Sequence, residues 1–250
     1  PYYMANGLVD AILNQPVPTG GAAPIEALLE KRTTPAWPIT FVPSLCPQCG
    51  WDMQGQSDAL TLSCENCDTL WRAKGGHLAQ LPCAHAADEK EIGMYMPFWR
   101  IRADVDGIAL KSHADLIRTA NLPRVVQPGL EQQTFYFWCP AFKLNPQRFL
   151  TCASHVTGSQ PRDPLTPGPP RGRRQAVNMP LSEAVESLKL IIALFAKPRE
   201  RIDEILETVT IRPRKFLLVY LPFQEGHHEF IHRKMNLAIY KNLLVHAKNL

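Results

Sequence analysis

Four cysteines, Cys46, Cys49, Cys64 and Cys67, stand as two C-x2-C pairs with fourteen residues between them. Two residues between thiolates make a short turn in which both sulfurs can point at one ion about 2.3 Å away, and two such turns supply a tetrahedral shell. An all-thiolate shell leaves no position for water or substrate. The expected role is therefore structural: one Zn2+ per chain, held by these four ligands, whose binding energy becomes folding energy for a segment too small to bury a core.

Other constellations compete for a chemical role. His228-Glu229-Phe230-Ile231-His232 matches H-E-x-x-H, in which two histidines one helical turn apart share a zinc and the glutamate activates water. Here the segment follows a β-type run and reads as strand, turn, strand. On a strand, residues four apart lie about 13 Å from each other at roughly 3.3 Å per residue, too far for one ion. No acidic residue follows Glu229 to serve as third ligand, so the match is expected to be inert. Cys83, His85, Cys139, Cys152 and His155 would form a second metal site or a thiol nucleophile with its base only if the fold gathered them. Gly107 to Ser112 ends like a P-loop but lacks the glycine before the lysine that lets backbone amides wrap a phosphate. No catalytic residue and no cofactor-binding residue other than the four metal ligands is assigned.

Composition narrows the class. The chain has 250 residues, of which 45% are hydrophobic, enough for a real core. It opens on Pro1, compatible with a fragment or a processed terminus, and its first residues lack the basic region and apolar run of a signal peptide. The most apolar stretch, residues 188–196, is far shorter than the roughly 20 residues that span a bilayer. Seven cysteines, four in metal spacing, suit a reducing compartment, and the expected location is cytoplasmic. The net charge of +4 is not spread over the chain. Residues 158–175 carry Arg162, Arg171, Arg173 and Arg174 against Asp163, a net +3, and hold five prolines and three glycines. That composition reads as a flexible basic loop whose deletion would shift the melting temperature little.

The elements that must position these residues form three regions: an N-terminal helical and Pro-rich arm over 1–43, the metal module over 44–75, and an α+β body over 76–250. In the arm, residues 5–14 and 24–31 are helical candidates. In the module, each Cys pair is followed by a strand, around Leu60-Thr61-Leu62 and then Leu70-Trp71-Arg72. In the body, 94–105 reads as a strand that Asp106-Gly107 turns back into 108–111. Tyr95-Met96-Pro97-Phe98 is echoed by Tyr220-Leu221-Pro222-Phe223, which suggests two β units. Between them, 181–197 and 198–212 read as a helical pair, bounded by Pro180, Pro198 and Pro213.

Cys46-Pro47-Gln48-Cys49-Gly50, followed by a strand and a second C-x2-C, resembles the zinc-ribbon superfamily over residues 44–75. The resemblance implies a small metal-stapled β module. Rubredoxin-type iron sites share the knuckle chemistry but space their pairs further apart. In outline the chain resembles bacterial zinc-ribbon proteins without an assigned activity.

Three functions follow. The favoured one is a non-catalytic adaptor or scaffold that uses the ribbon for protein–protein contact. The second is a nucleic-acid-associated factor using Arg171, Arg173 and Arg174. Against it, over residues 44–72 Asp52, Asp58, Glu65 and Asp68 oppose Arg72 alone, and an acidic module repels phosphate. The third is a hydrolase or redox enzyme built on the unpaired Cys and His residues.

Overall fold

The structure is a computed structural model that describes residues 2–4, 8–10, 14–16, 41–87, 92–120, 126–195 and 201–246. It divides into two units, Pro1–Phe41 and Val42–Leu250. In the first, β1 (Tyr2–Met4), β2 (Leu8–Asp10) and β3 (Gln15–Pro16) form an antiparallel sheet. Strand β2 lies where a helix over 5–14 is expected. So short a helix is marginal without packing, and Asn14, at φ 50°, takes the left-handed conformation that lets the chain turn back into β3. The other expected helix, 24–31, lies outside the described residues.

The second unit begins with a small antiparallel sheet of β4 (Leu62–Cys64), β5 (Thr69–Lys74) and β6 (His77–Gln80). The expected alternation of knuckle and strand is present, and β6 carries the module past residue 75.

The body follows as β7 (Cys83–Ala86), β8 (Met94–Asp106), α1 (His113–Thr119), β9 (Phe137–Pro140), α2 (Pro146–Ser159), β10 (Leu165–Pro167), α3 (Leu181–Glu186), α4 (Leu188–Phe195), α5 (Arg201–Thr208), β11 (Thr210–Glu225), β12 (Glu229–His232), β13 (Leu237–Tyr240) and α6 (Lys241–His246). Its seven strands form one sheet. Both long strands change character half-way. Met94 to Trp99 and Leu218 to Phe223 are buried throughout, whereas Arg102 to Asp106 alternate between exposed and half-buried. Continuous apolar runs demand cover on both faces, and alternating ones on a single face. The antiparallel register sets the buried halves against each other, with Phe98 opposite Val219, and ends at Asp106 opposite Thr210. Both Tyr-x-Pro-Phe echoes therefore lie side by side, Tyr220 opposite Pro97 and Pro222 opposite Tyr95. The 108–111 return strand is not formed. Strand β11 already pairs with Asp106, and the turn at Gly107 packs so closely on the end of α5 that an added Cβ would sit 3.2 Å from the Thr208 carbonyl oxygen.

Helix α2 starts at Asn145, whose side chain accepts from the Arg148 N–H, with Pro146 at the first helical position. It seals the free edge of β9. The Thr157 hydroxyl accepts from the Trp138 N–H at 2.9 Å, and Gln160 bonds both the N–H and the carbonyl of Tyr136. Aromatic residues that could have offered a base-stacking platform are core instead: Phe98, Trp99, Phe135, Phe137, Trp138 and Phe142 are buried. Helices α4 and α5 pack together where a pair is expected, but the first expected helix is divided at Ser187 and the second ends at Thr208, so Pro213, its expected close, lies inside β11.

Residues 158–175 differ most from expectation. They end one helix, supply edge strand β10 to β7, and run across the face of the metal module. Arg171 meets Asp68 at 3.2 Å, Arg174 approaches Glu65 at 3.9 Å, and Arg173 pairs with Glu225 at 3.0 Å. The exposed pairs contribute little, about 0–1 kcal/mol each. Anchoring comes from less exposed bonds just beyond: the Leu60 N–H to the Val177 carbonyl at 2.7 Å, and Asn178, whose amide donates to Asp58 at 2.7 Å and accepts from the Lys143 N–H at 2.8 Å.

Asn178→Ala should therefore cost about 1–3 kcal/mol, because it strands a backbone donor and a carboxylate. Arg171→Ala, at a side chain 86% exposed, should stay within about 0.5 kcal/mol. Denaturant midpoints of the two variants check this, and equal shifts would show that the exposed ion pairs brace the module.

Candidate metal centre

The two knuckles come from opposite ends of one backbone path. In the first, the Gly50 N–H donates to the Cys46 carbonyl and the Cys46 N–H to the Trp51 carbonyl, both at 2.8 Å, and Gly50 at φ 72° closes the turn. A bridge between Leu45 and Asp52 and another between Gln54 and Ser63 hold this loop against β4. The second knuckle joins β4 to β5, with Asp68 at φ 51°. Cys46, Met53, Cys64 and Trp71 make the module's own core, with Leu62, Cys67 and Leu78 packed against it.

All four sulfurs lie within 4.8 Å of one another. Cys46 and Cys67 are 3.6 Å apart, and Cys49 and Cys64 3.4 Å. A tetrahedral shell with 2.3 Å bonds places sulfurs about 3.8 Å apart, so the quartet fits a single ion. The Thr69 hydroxyl lies 3.0 Å from Cys67 Sγ and accepts from the Trp71 indole at 2.9 Å, tying the ligands to the core. Thr69 went unread in the sequence, although a hydroxyl two residues past a ligand is the usual kind of supporting group.

The electrostatics of the quartet call for a cation. Burial works against ionisation of Cys46, but the Gln48 and Cys49 N–H groups, with Thr69 and Cys67, lower it to about 6. Cys67 goes the other way. The Thr69 hydroxyl lowers it, yet burial and the three neighbouring sulfurs together push it up to about 12. Like charges that share one site cannot all ionise unless an opposite charge joins them. A dication among four thiolates supplies it.

No family model, no curated protein and no solved structure matches this chain. What the site can do is therefore read from its own geometry. Among the described residues, these four cysteines are the group placed to share a metal ion.

The remaining candidates do not gather into one site. Cys83 and His85 lie on β7, where His85 Nδ1 is 3.1 Å from the Gly168 carbonyl. Cys139 and Cys152 are core residues between β9 and α2, and burial pushes each up to about 12, which keeps them protonated. Burial raises Cys83 too, to about 11. His155 points elsewhere, with Nε2 2.7 Å from the Met235 carbonyl. A lone thiol held protonated by burial is a poor nucleophile near neutrality.

The H-E-x-x-H segment is a strand, as expected. His232 is buried against Phe223, and its Nδ1 accepts from the Met235 N–H at 3.4 Å; His228 is exposed and sits 2.9 Å from the ring of His227. The P-loop-like segment ends at Ser112, which caps α1 together with Asp115. No helix among the described residues is long and apolar enough to cross a membrane.

Proposed function

We propose that the module is a zinc ribbon with one structural zinc per chain, and that the protein is a non-catalytic adaptor which presents this ribbon to a protein partner. The observation that carries the reading is a closed set of four thiols beside exposed apolar side chains. Leu45 and Trp51 flank the first knuckle at 51% and 60% exposure. Exposed tryptophan on a rigid base is the kind of residue that anchors protein interfaces. Soft thiolate ligands in tetrahedral array favour zinc over magnesium, calcium or manganese. The arginines speak against phosphate binding, since Arg171, Arg173 and Arg174 each face a carboxylate of the same chain.

Elemental analysis should return about one zinc per chain and no iron, with Cys64→Ser losing both the metal and the module's fold. Iron, or a folded metal-free module, contradicts the zinc assignment. A gel-shift titration with DNA and RNA at two salt concentrations checks the adaptor reading. The expected result is no tight complex. Tight binding that weakens with salt and is lost in the triple Arg171→Ala, Arg173→Ala, Arg174→Ala variant would favour the nucleic-acid factor instead.

A further inference from the structure

Where the arginine segment crosses the metal module, a cavity of about 340 Å³ opens between β4, residues 172–177 and β11. Its walls are uneven in chemistry. Leu70, Ala59, Ala176 and Val177 line one part, and Arg174, Tyr220 and two glutamine side chains, Gln54 and Gln56, another. The backbone is pinned on both sides, with the Gln175 N–H on the Tyr95 carbonyl and the Leu60 N–H on the Val177 carbonyl, so the cavity is built before any ligand arrives.

Of Arg171, Arg173 and Arg174, Arg174 has the longest ion pair. Its side chain is only 22% exposed, and its nearest carboxylate, Glu65, stands 3.9 Å away on an exposed side chain. Arg171 and Arg173 have closer partners. Ser63 positions Arg174 without competing for a ligand: its hydroxyl accepts from Arg174 at 3.3 Å and gives its own proton to the Gln54 carbonyl. Tyr220 is 3% exposed and lines the cavity; its hydroxyl makes no hydrogen bond to another described residue and is open to the cavity. Burial holds that phenol protonated far above neutrality, and Arg174 is near enough to bear on it. A hydroxyl open to a cavity, beside a guanidinium with N–H donors to spare, can hold an oxygen anion.

We propose that this cavity binds a small monocarboxylate, its oxygens taking N–H donors from Arg174 and the hydroxyl of Tyr220, and its short apolar body lying against Leu70 and Val177. A single guanidinium that already stands near Glu65 favours a monoanion over a dianion. Glu65 and Asp68 stand next to the site, and a metal with four thiolates adds two further negative charges, so a phosphate dianion is repelled. The volume lies at the small end of ligand sites and suits a ligand of a few carbons. This site is independent of the adaptor reading, which concerns the opposite, exposed edge of the first knuckle.

Titration of the metal-loaded full chain with acetate, butyrate, benzoate and inorganic phosphate, followed by calorimetry and by tyrosine fluorescence, tests the assignment. Saturable binding is expected for butyrate or benzoate, weaker for acetate and at least tenfold weaker for phosphate. Tyr220→Phe should weaken it about 5-fold or more and Arg174→Gln at least tenfold, with metal content and far-ultraviolet circular dichroism unchanged. Absence of saturable binding for every carboxylate, a preference for phosphate, or binding that survives Tyr220→Phe undiminished would overturn it. Should Arg174→Gln disturb the fold, Tyr220→Phe alone still decides, because it removes one oxygen and no packing.

Discussion

Four sulfur atoms within 4.8 Å of one another cannot all hold negative charge without a cation between them, and the path from Leu45 to Gln80 is arranged around that demand. The module's own apolar core amounts to four buried residues, two of them ligands. Hydrophobic burial at about 25 cal/mol per Å² cannot offset the ordering of some 35 residues on so small a core. Metal–thiolate bonding would supply what packing does not. The body has no such need, because Phe98, Phe142 and Phe223 stack across one sheet under α2 and α4.

The seam between module and body is where charge and packing act together. Acidic side chains cluster on the module, Asp58, Glu65 and Asp68, and the segment that crosses it brings Arg171, Arg174 and Asn178. Exposed pairs set register more than they set stability, and the buried amide of Asn178 fixes distance. A polar seam of this kind leaves room: Arg174 and Tyr220 both line a cavity in it.

Local signals were readable in the sequence and distant ones were not. The Cys46–Cys49 and Cys64–Cys67 spacing pointed to the four cysteines that the fold gathers within 4.8 Å, since metal chemistry constrains such spacing within a few residues. Pro180 marked the start of the helical region at Leu181, and the strand character of 229–232 followed from its neighbours. The arginine segment was misread because its Pro and Gly content describes only local preference. Its partners lie far along the chain, 103 residues for Arg171 and Asp68 and 52 for Arg173 and Glu225. Both halves of that contact, a basic stretch and an acidic module, were visible as composition. Nothing short of the fold joined them. The same holds for Asp106-Gly107, a hairpin by local chemistry whose return strand was pre-empted by β11, and for Tyr220, one buried strand residue among many until Arg174 is set beside it.

Hydrogen exchange read by mass spectrometry, on metal-loaded and chelator-stripped full-length protein, tests most directly whether the thiolate centre holds the module and, through the seam, the arginine segment. Removal of the metal should raise exchange across residues 45–80 and across 172–178, while β8 and β11 keep their protection. Unchanged protection over 45–80 in the stripped protein would contradict the account, because the module would then stand on its four-residue core alone.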